Sequence, residues 1–208
     1  MDGVFMKKLL KRMAFFALLA ALVWCGMVIA DRQKLDEELI RLHIVADSDE
    51  EQAQSLKLRV RDAIVESLCS DLKDVADTQQ AWEYLEEHLP QIQQLANRVL
   101  QTAGSELTAA VSLAQEEFSA REYDTFSLPA GVYNALRVVI GEGEGENWWC
   151  VAFPQLCLPT TTEDFHIAAA GAGFSDELTD TLSHGDGTQL RFFILDVLGR
   201  IENYFHRG

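Results

Sequence analysis

The sequence predicts an α+β fold: an N-terminal hydrophobic segment, then an antiparallel sheet packed by a helical hairpin, with a C-terminal helix. Three observations predict it. An uncharged run of 18 residues, Met13 to Ala30, stands apart from everything after it. Two stretches between Ser48 and Gly104 space their apolar residues by three and four, the helical period. From Leu107 onward the period falls to two, the period of strands with one buried face. Helices followed by neighbouring strands read as an antiparallel sheet with helices on one face.

Composition narrows the function classes. The chain has 208 residues, 48% hydrophobic and 24% charged, which suits one domain, or one domain with a membrane segment. Its 33 acidic against 17 basic side chains give a net charge of −16. A nucleic-acid binder needs a basic footprint to neutralise phosphates, so that class is excluded. Four cysteines are too few for a disulfide-scaffold miniprotein.

The first element sets the compartment. Lys7, Lys8, Lys11 and Arg12 precede the uncharged run, and Asp31, Asp36, Glu37 and Glu38 follow it. As a helix the run is about 27 Å long, close to the hydrocarbon thickness of a bilayer. The basic cluster stays in the cytoplasm, which puts everything after Asp31 outside. Residues 1–30 are either a signal peptide, with Val28-Ile29-Ala30 as the cleavage site, or an uncleaved anchor. Bulky Trp24 argues against a lipoprotein cut before Cys25. The part beyond residue 30 holds 13 basic and 32 acidic side chains, a net charge of −19. It divides into an α+β domain over 31–158 and a linker with a C-terminal helix over 159–208, packed on the domain.

The remaining elements follow in order. Leu39–Ala46 is a strand, with Ile40, Leu42 and Ile44 on its buried face and Arg41 and His43 on the other. Ser48 and Glu51 have capping-box spacing, so a helix should start there and bury Ala53, Leu56, Val60, Ile64 and Leu68. A second helix starts near Asp77-Thr78 with Trp82, Leu85, Leu89, Ile92, Ala96 and Val99 on one stripe. Pro90 should kink or split it, and Gly104 should end it. Strands are expected around Leu107–Leu113, at Val132–Ile140 and at Trp148–Phe153, with a turn at Leu128–Gly131. Residues 159–172 read as irregular. Ile194, Leu198, Ile201 and Phe205 mark the packed stripe of the last helix.

The search for chemistry finds no catalytic residues and no metal set. There is no Gly-x-Ser-x-Gly elbow and no His-Glu-x-x-His, and the five histidines lie far apart. No cofactor is implied. Gly141-Glu142-Gly143-Glu144-Gly145-Glu146 is too acidic to cradle phosphate and reads as a flexible hairpin loop. His43, near Asp47 and Asp49, is a structural residue, or else a pH sensor or a weak metal site. The most unusual segment is Asn147-Trp148-Trp149-Cys150. Adjacent tryptophans point to opposite faces of a strand, so at most one is naturally core, and the other is covered by a loop or anchors a partner. Cys150 and Cys157, with Phe153-Pro154 between them, are a possible disulfide worth about 2–3 kcal/mol outside the cytoplasm. Cys69 on its helix is a small buried hydrophobe.

Several blocks taken together resemble a known family. They are Leu42–Asp49, Leu56–Ala63, Leu128–Gly131, Ala135–Gly143 and Asn147-Trp148-Trp149-Cys150-Val151, followed by Phe153-Pro154 and Leu156-Cys157. In this order, over roughly residues 39–158, they resemble the stage II sporulation protein R family. This chain departs from the pattern at Asp47, where an asparagine is usual, in Cys69, and in the tail after Thr160. The resemblance implies an exported signal, not an enzyme. It would leave the forespore for the space between two membranes and activate a membrane-embedded aspartic protease of the mother cell, which processes pro-sigma-E. The membrane itself is a partner through residues 13–30 if these stay uncleaved. The candidate partner-binding residues are Gly141, Gly143, Asn147, Trp148 and Trp149, with His43 and Asp49 as a second group. A wall-active hydrolase or wall-binding protein, using a carboxylate pair and a tryptophan sugar platform, is the alternative.

Overall fold

The computed structural model of the chain describes residues 2–154, 161–183 and 189–206. Helix α1 (Asp2–Glu38) runs unbroken through the apolar run and on into the domain. Strand β1 (Ile40–Val45) follows, then α2 (Glu51–Asp71) and α3 (Thr78–Thr102). Next come β2 (Ala109–Phe118), a small ribbon of β3 (Arg121–Glu122) and β4 (Ser127–Leu128), then β5 (Gly131–Ile140) and β6 (Asn147–Phe153). Helices α4 (Thr162–Gly171), α5 (Asp176–Leu182) and α6 (Gln189–His206) close the chain.

The fold is α+β, with the expected apolar helix, sheet and C-terminal helix. The four-stranded sheet has the order β2-β5-β1-β6. Antiparallel pairing holds for β2 with β5 and for β1 with β6, but β1 runs parallel to β5. Sequence neighbours β5 and β6 therefore do not pair; β1 lies between them. A parallel pair needs a long crossover connection, and α2, α3 and β2 supply it between β1 and β5.

Helices cover both faces of the sheet, not one. On the first face, Ile40, Leu42, Ile44, Leu136 and Val138 meet the buried stripes of α2 and α3. On the second, Tyr133, Ala135 and Val151 meet Val28 from the apolar run of α1, Leu35 from its end, Leu39 just after it, and Phe165, Leu178 and Leu195 from the last three helices. The second cover explains why Arg41, on the polar side of β1, is 0% exposed. Its guanidinium lies 4.2 Å from the ring centre of Phe118 and 5.2 Å from that of Tyr133, and donates to Tyr123 Oη at 2.6 Å. Among the described residues no carboxylate pairs with this charge, and aromatic faces stand in for water around it.

Several element details differ from the sequence expectation. The N-cap of α2 is Glu50, with no side-chain cap, so the Ser48–Glu51 box does not form. The Asp77 cap of α3 does form, accepting from the Gln80 amide at 2.8 Å. Pro90 lies inside α3 without dividing it. Pro90 and Glu86 are both exposed, so the carbonyl that the proline leaves unbonded faces water. At the end of α3, Gly104 has φ +76° and donates to Gln101 O, while Ser105 donates to Leu100 O. These are the paired bonds of a Schellman stop. The expected irregular stretch contains α4, capped by Thr161 and anchored by Phe165 and Ala169. Its alanines are too small to show a stripe in the sequence. On α6, Ile194 and Leu198 pack as expected, but Ile201 and Phe205 are exposed.

Candidate functional site

The loop between β5 and β6 crosses the end of β1, and the chain leaving β1 holds it down. Asp47 Oδ1 accepts the Glu142 amide at 2.9 Å, and Asp49 Oδ1 accepts the Glu146 amide at 2.6 Å. Backbone bonds join Glu144 N to Asp47 O and Gly145 N to Ala46 O. Lys57 of α2, 5% exposed, donates to Glu146 O at 2.9 Å and to Gln54 Oε1 at 2.6 Å. Burial lowers the Lys57 pKa from its ordinary value, offset in part by Glu146 and Asp49.

The glycines follow from this close approach. Gly141 and Gly143 sit at φ +58° and +69°. A Cβ on Gly141 would strike the Asp47 carboxylate, and one on Gly145 would strike Ser48 O. The expected flexible hairpin is thus a tethered crossing. It alternates glycines, which the approach demands, with glutamates 142, 144 and 146, which are exposed.

Below the loop, three strands bring a second group together. On β1, His43 stands opposite Arg137 of β5 and Trp149 of β6. The His43 ring stacks on Trp149, with centres 5.7 Å apart and planes at 16°. His43 Nδ1 lies 2.7 Å from Glu116 Oε2, and Nε2 lies 2.8 Å from Asn147 Oδ1. Both neighbours are acceptors as placed. An imidazolium donates to both; a neutral ring protonated on Nδ1 requires the Asn147 amide turned over so that its NH2 donates. The other Glu116 oxygen lies 3.4 Å from Arg137 Nε. The Arg121 guanidinium covers the Trp149 ring at 3.7 Å. His43 therefore answers to Glu116 and Asn147, not to Asp47 and Asp49.

The structure sorts the expected residues into two adjoining groups. His43, Asn147 and Trp149 form an aromatic and charged cluster, while Asp49, Gly141 and Gly143 belong to the tethered loop. Trp148 points to the other face, against the first core, with the Arg61 guanidinium 5.3 Å from its ring centre. Neither tryptophan is fully buried. Sequence reasoning missed Glu116, Arg121, Arg137 and Lys57. No local pattern marks the first three, since strand order brings them to the cluster. Lys57 alone left a signal: it interrupts an apolar stripe one residue after Leu56. Cys150 is disulfide-bonded, Cys25 is an exposed thiol, and the Cys69 thiol, expected to be buried, is half-buried. Cys157, the expected partner of Cys150, lies outside the described residues.

Residues 36–163 match the stage II sporulation protein R family. The chain belongs to that family. It is 34% identical over 123 residues to stage II sporulation protein R of Bacillus subtilis (strain 168). That alignment covers 59% of this chain and 55% of the relative, so it spans about half of the relative's length. No solved structure matches. Family membership supports a role in sporulation. The match to the sporulation protein R family takes in the whole sheet, α2, α3 and the tethered loop. It leaves out most of α1 and of α4, and all of α5 and α6, so the cover on the second face lies largely outside the shared region.

Proposed function

We propose that this chain is an exported signal of endospore formation that acts by contact. It leaves the forespore with its N-terminus in the cytoplasm and its domain in the space between the membranes. There it binds the outward-facing part of a membrane-embedded aspartic protease of the mother cell and turns on processing of pro-sigma-E. The apolar helix α1, long enough to cross a membrane, supports this placement.

The observation that carries the contact reading is the cluster around Trp149. A half-exposed indole lies between a histidine and an arginine, at the rim of the sheet and beside a loop tethered to the end of β1. A rigid aromatic anchor flanked by charge is what binding hot spots use. Binding by itself activates nothing: the domain must bind the active state of the protease more tightly than the inactive one.

The test is reconstitution in a non-sporulating host. The chain is co-expressed with its cognate protease and pro-sigma-E, and processing is followed on a blot. Processing that needs export of residues 31–208 and is lost in Trp149→Ala supports the reading. Full activity of folded Trp148→Ala and Trp149→Ala variants would remove this edge from the contact.

A further inference from the structure

Helix α6 carries two apolar faces. One, with Phe192, Ile194, Leu195 and Leu198, packs on the second core. The other is unpartnered among the described residues. Leu190, Phe193, Ile201 and Tyr204 are 64%, 61%, 49% and 76% exposed, with half-buried Val197 completing the three-and-four spacing and exposed Phe205 beside them. A continuous exposed stripe of this size marks a surface that something covers.

The position of α6 says what covers it. Arg191 donates from Nε to Asp31 Oδ2 at 3.1 Å, and Glu202 accepts from Arg32 Nη2 at 2.7 Å. Asp31 and Arg32 are consecutive on α1 and are the first charged residues after its apolar run. Arg191 and Glu202 are eleven residues apart, about 16 Å along α6. A helix lying alongside α1 would meet it at positions just as far apart. Helix α6 therefore crosses α1, at the level where α1 leaves its apolar stretch.

We infer that the outward stripe of α6 lies in the head-group layer of the bilayer that α1 enters. This rests on the reading of α1 as an uncleaved anchor. The domain is then held to the membrane twice, by a spanning helix and by an interfacial one. Asp196 and Arg200 pair with each other at 2.8 Å, and the helix has no cationic excess. The contact is thus apolar and depends little on lipid charge, and the anchor raises the local concentration enough that weak intrinsic affinity suffices.

This contact also orients the candidate site. Helix α6 meets the start of β5: Asp196 accepts the Ala130 amide, and Gly199 lies against Ala130 O. From there α1 and β5 run the same way: Arg32 lies against Gly131, and Ile40, just beyond α1, stands opposite Asn134. The tethered loop follows the far end of β5, ten residues and about 30 Å on. Membrane contact at one end of the sheet turns the loop toward the opposite side of the intermembrane space.

The experiment uses the full chain in phosphatidylcholine vesicles containing a lipid with a diazirine in its acyl chain. Photolabelled peptides are read by mass spectrometry. Labelling is expected on α1 and on α6 at Phe193, Ile201 and Tyr204, at least about fivefold above the exposed face of α3. Added phosphatidylglycerol or 0.5 M salt, on the order of a 4 Å screening length, should leave it unchanged. A variant with Phe193→Ser, Ile201→Ser and Tyr204→Ser should lose α6 labelling, keep α1 labelling and keep its circular dichroism. Tyr204→Ser alone serves if the triple variant does not fold. Labelled α1 with α6 at the level of α3 overturns the inference, and a sedimenting dimer alongside it assigns the stripe to a second copy. If α1 is unlabelled as well, the anchor reading has failed first.

Discussion

Asp49 receives the backbone amide of Glu146 across 97 positions of sequence, at 2.6 Å. With the matching bond from Glu142 to Asp47, it ties the β5–β6 loop to the end of β1. Removing one such acceptor should cost about 1–2 kcal/mol, because the amide it served is left in a crowded crossing. Asp49→Ala is therefore expected to lower the urea midpoint and to speed hydrogen exchange at residues 141–146. Asp47→Asn keeps an acceptor oxygen and should be close to neutral. Equal loss in both would mean that charge, not the hydrogen bond, holds the loop.

The loop glycines should tolerate no side chain. Gly145→Ala places a methyl against Ser48 O, and Gly141→Ala adds an unfavourable positive φ to a clash with Asp47. Each should cost about 1–3 kcal/mol in chemical denaturation. Gly104→Ala, also at positive φ but with open space around its Cβ, separates the two causes and should cost about 1 kcal/mol.

The two tryptophans should separate stability from signalling. Trp148 packs on the first core, so Trp148→Ala is expected to destabilise by about 2–4 kcal/mol. Trp149 is held by His43 and Arg121 at the rim, and Trp149→Ala should cost less stability. At matched amounts of folded protein, its processing of pro-sigma-E should fall by about tenfold or more, equivalent to losing one binding hot spot. The reverse pattern would place the contact on the other face of β6.

Lys57 gives a pH signature. Burial lowers its folded pKa, so the folded chain releases this proton before the unfolded chain does. Between that lowered value and about 10.4 the unfolded state binds more protons, and stability rises with pH. Lys57→Met removes this contribution. The melting temperature of the parent, measured against that of Lys57→Met, should therefore climb as the pH rises toward about 10. A flat difference would mean that Lys57 titrates alike in both states.

The end of α1 should prove part of the domain. Leu35 and Leu39 are 0% exposed, and Arg32 donates to the buried Tyr133 hydroxyl at 2.9 Å. A chain starting at residue 31 keeps these contacts, whereas one starting at residue 40 loses them. The shorter chain is expected to lose cooperative thermal unfolding. Matching melts for the two would show that the α1 contacts contribute little.

What the sequence determined by itself is local. The apolar run, the stripe of α2, the Asp77 cap, the Gly104 stop and the strands at 132–140 and 148–153 all rest on neighbours within a few residues, where spacing and backbone preference act directly. The unusual Asn147-Trp148-Trp149 segment was legible for the same reason. The rest depends on which distant segments meet. Inserting β1 between β5 and β6 makes one seam parallel, turns a plain acidic loop into a tethered crossing, and draws Glu116, Arg121 and Arg137 around His43 and Trp149. A second layer of helices buries Arg41 and leaves Ile201 and Phe205 outside. Burial and charge pairing depend on the neighbours that folding supplies, and no periodicity along the chain records which strand lies beside which.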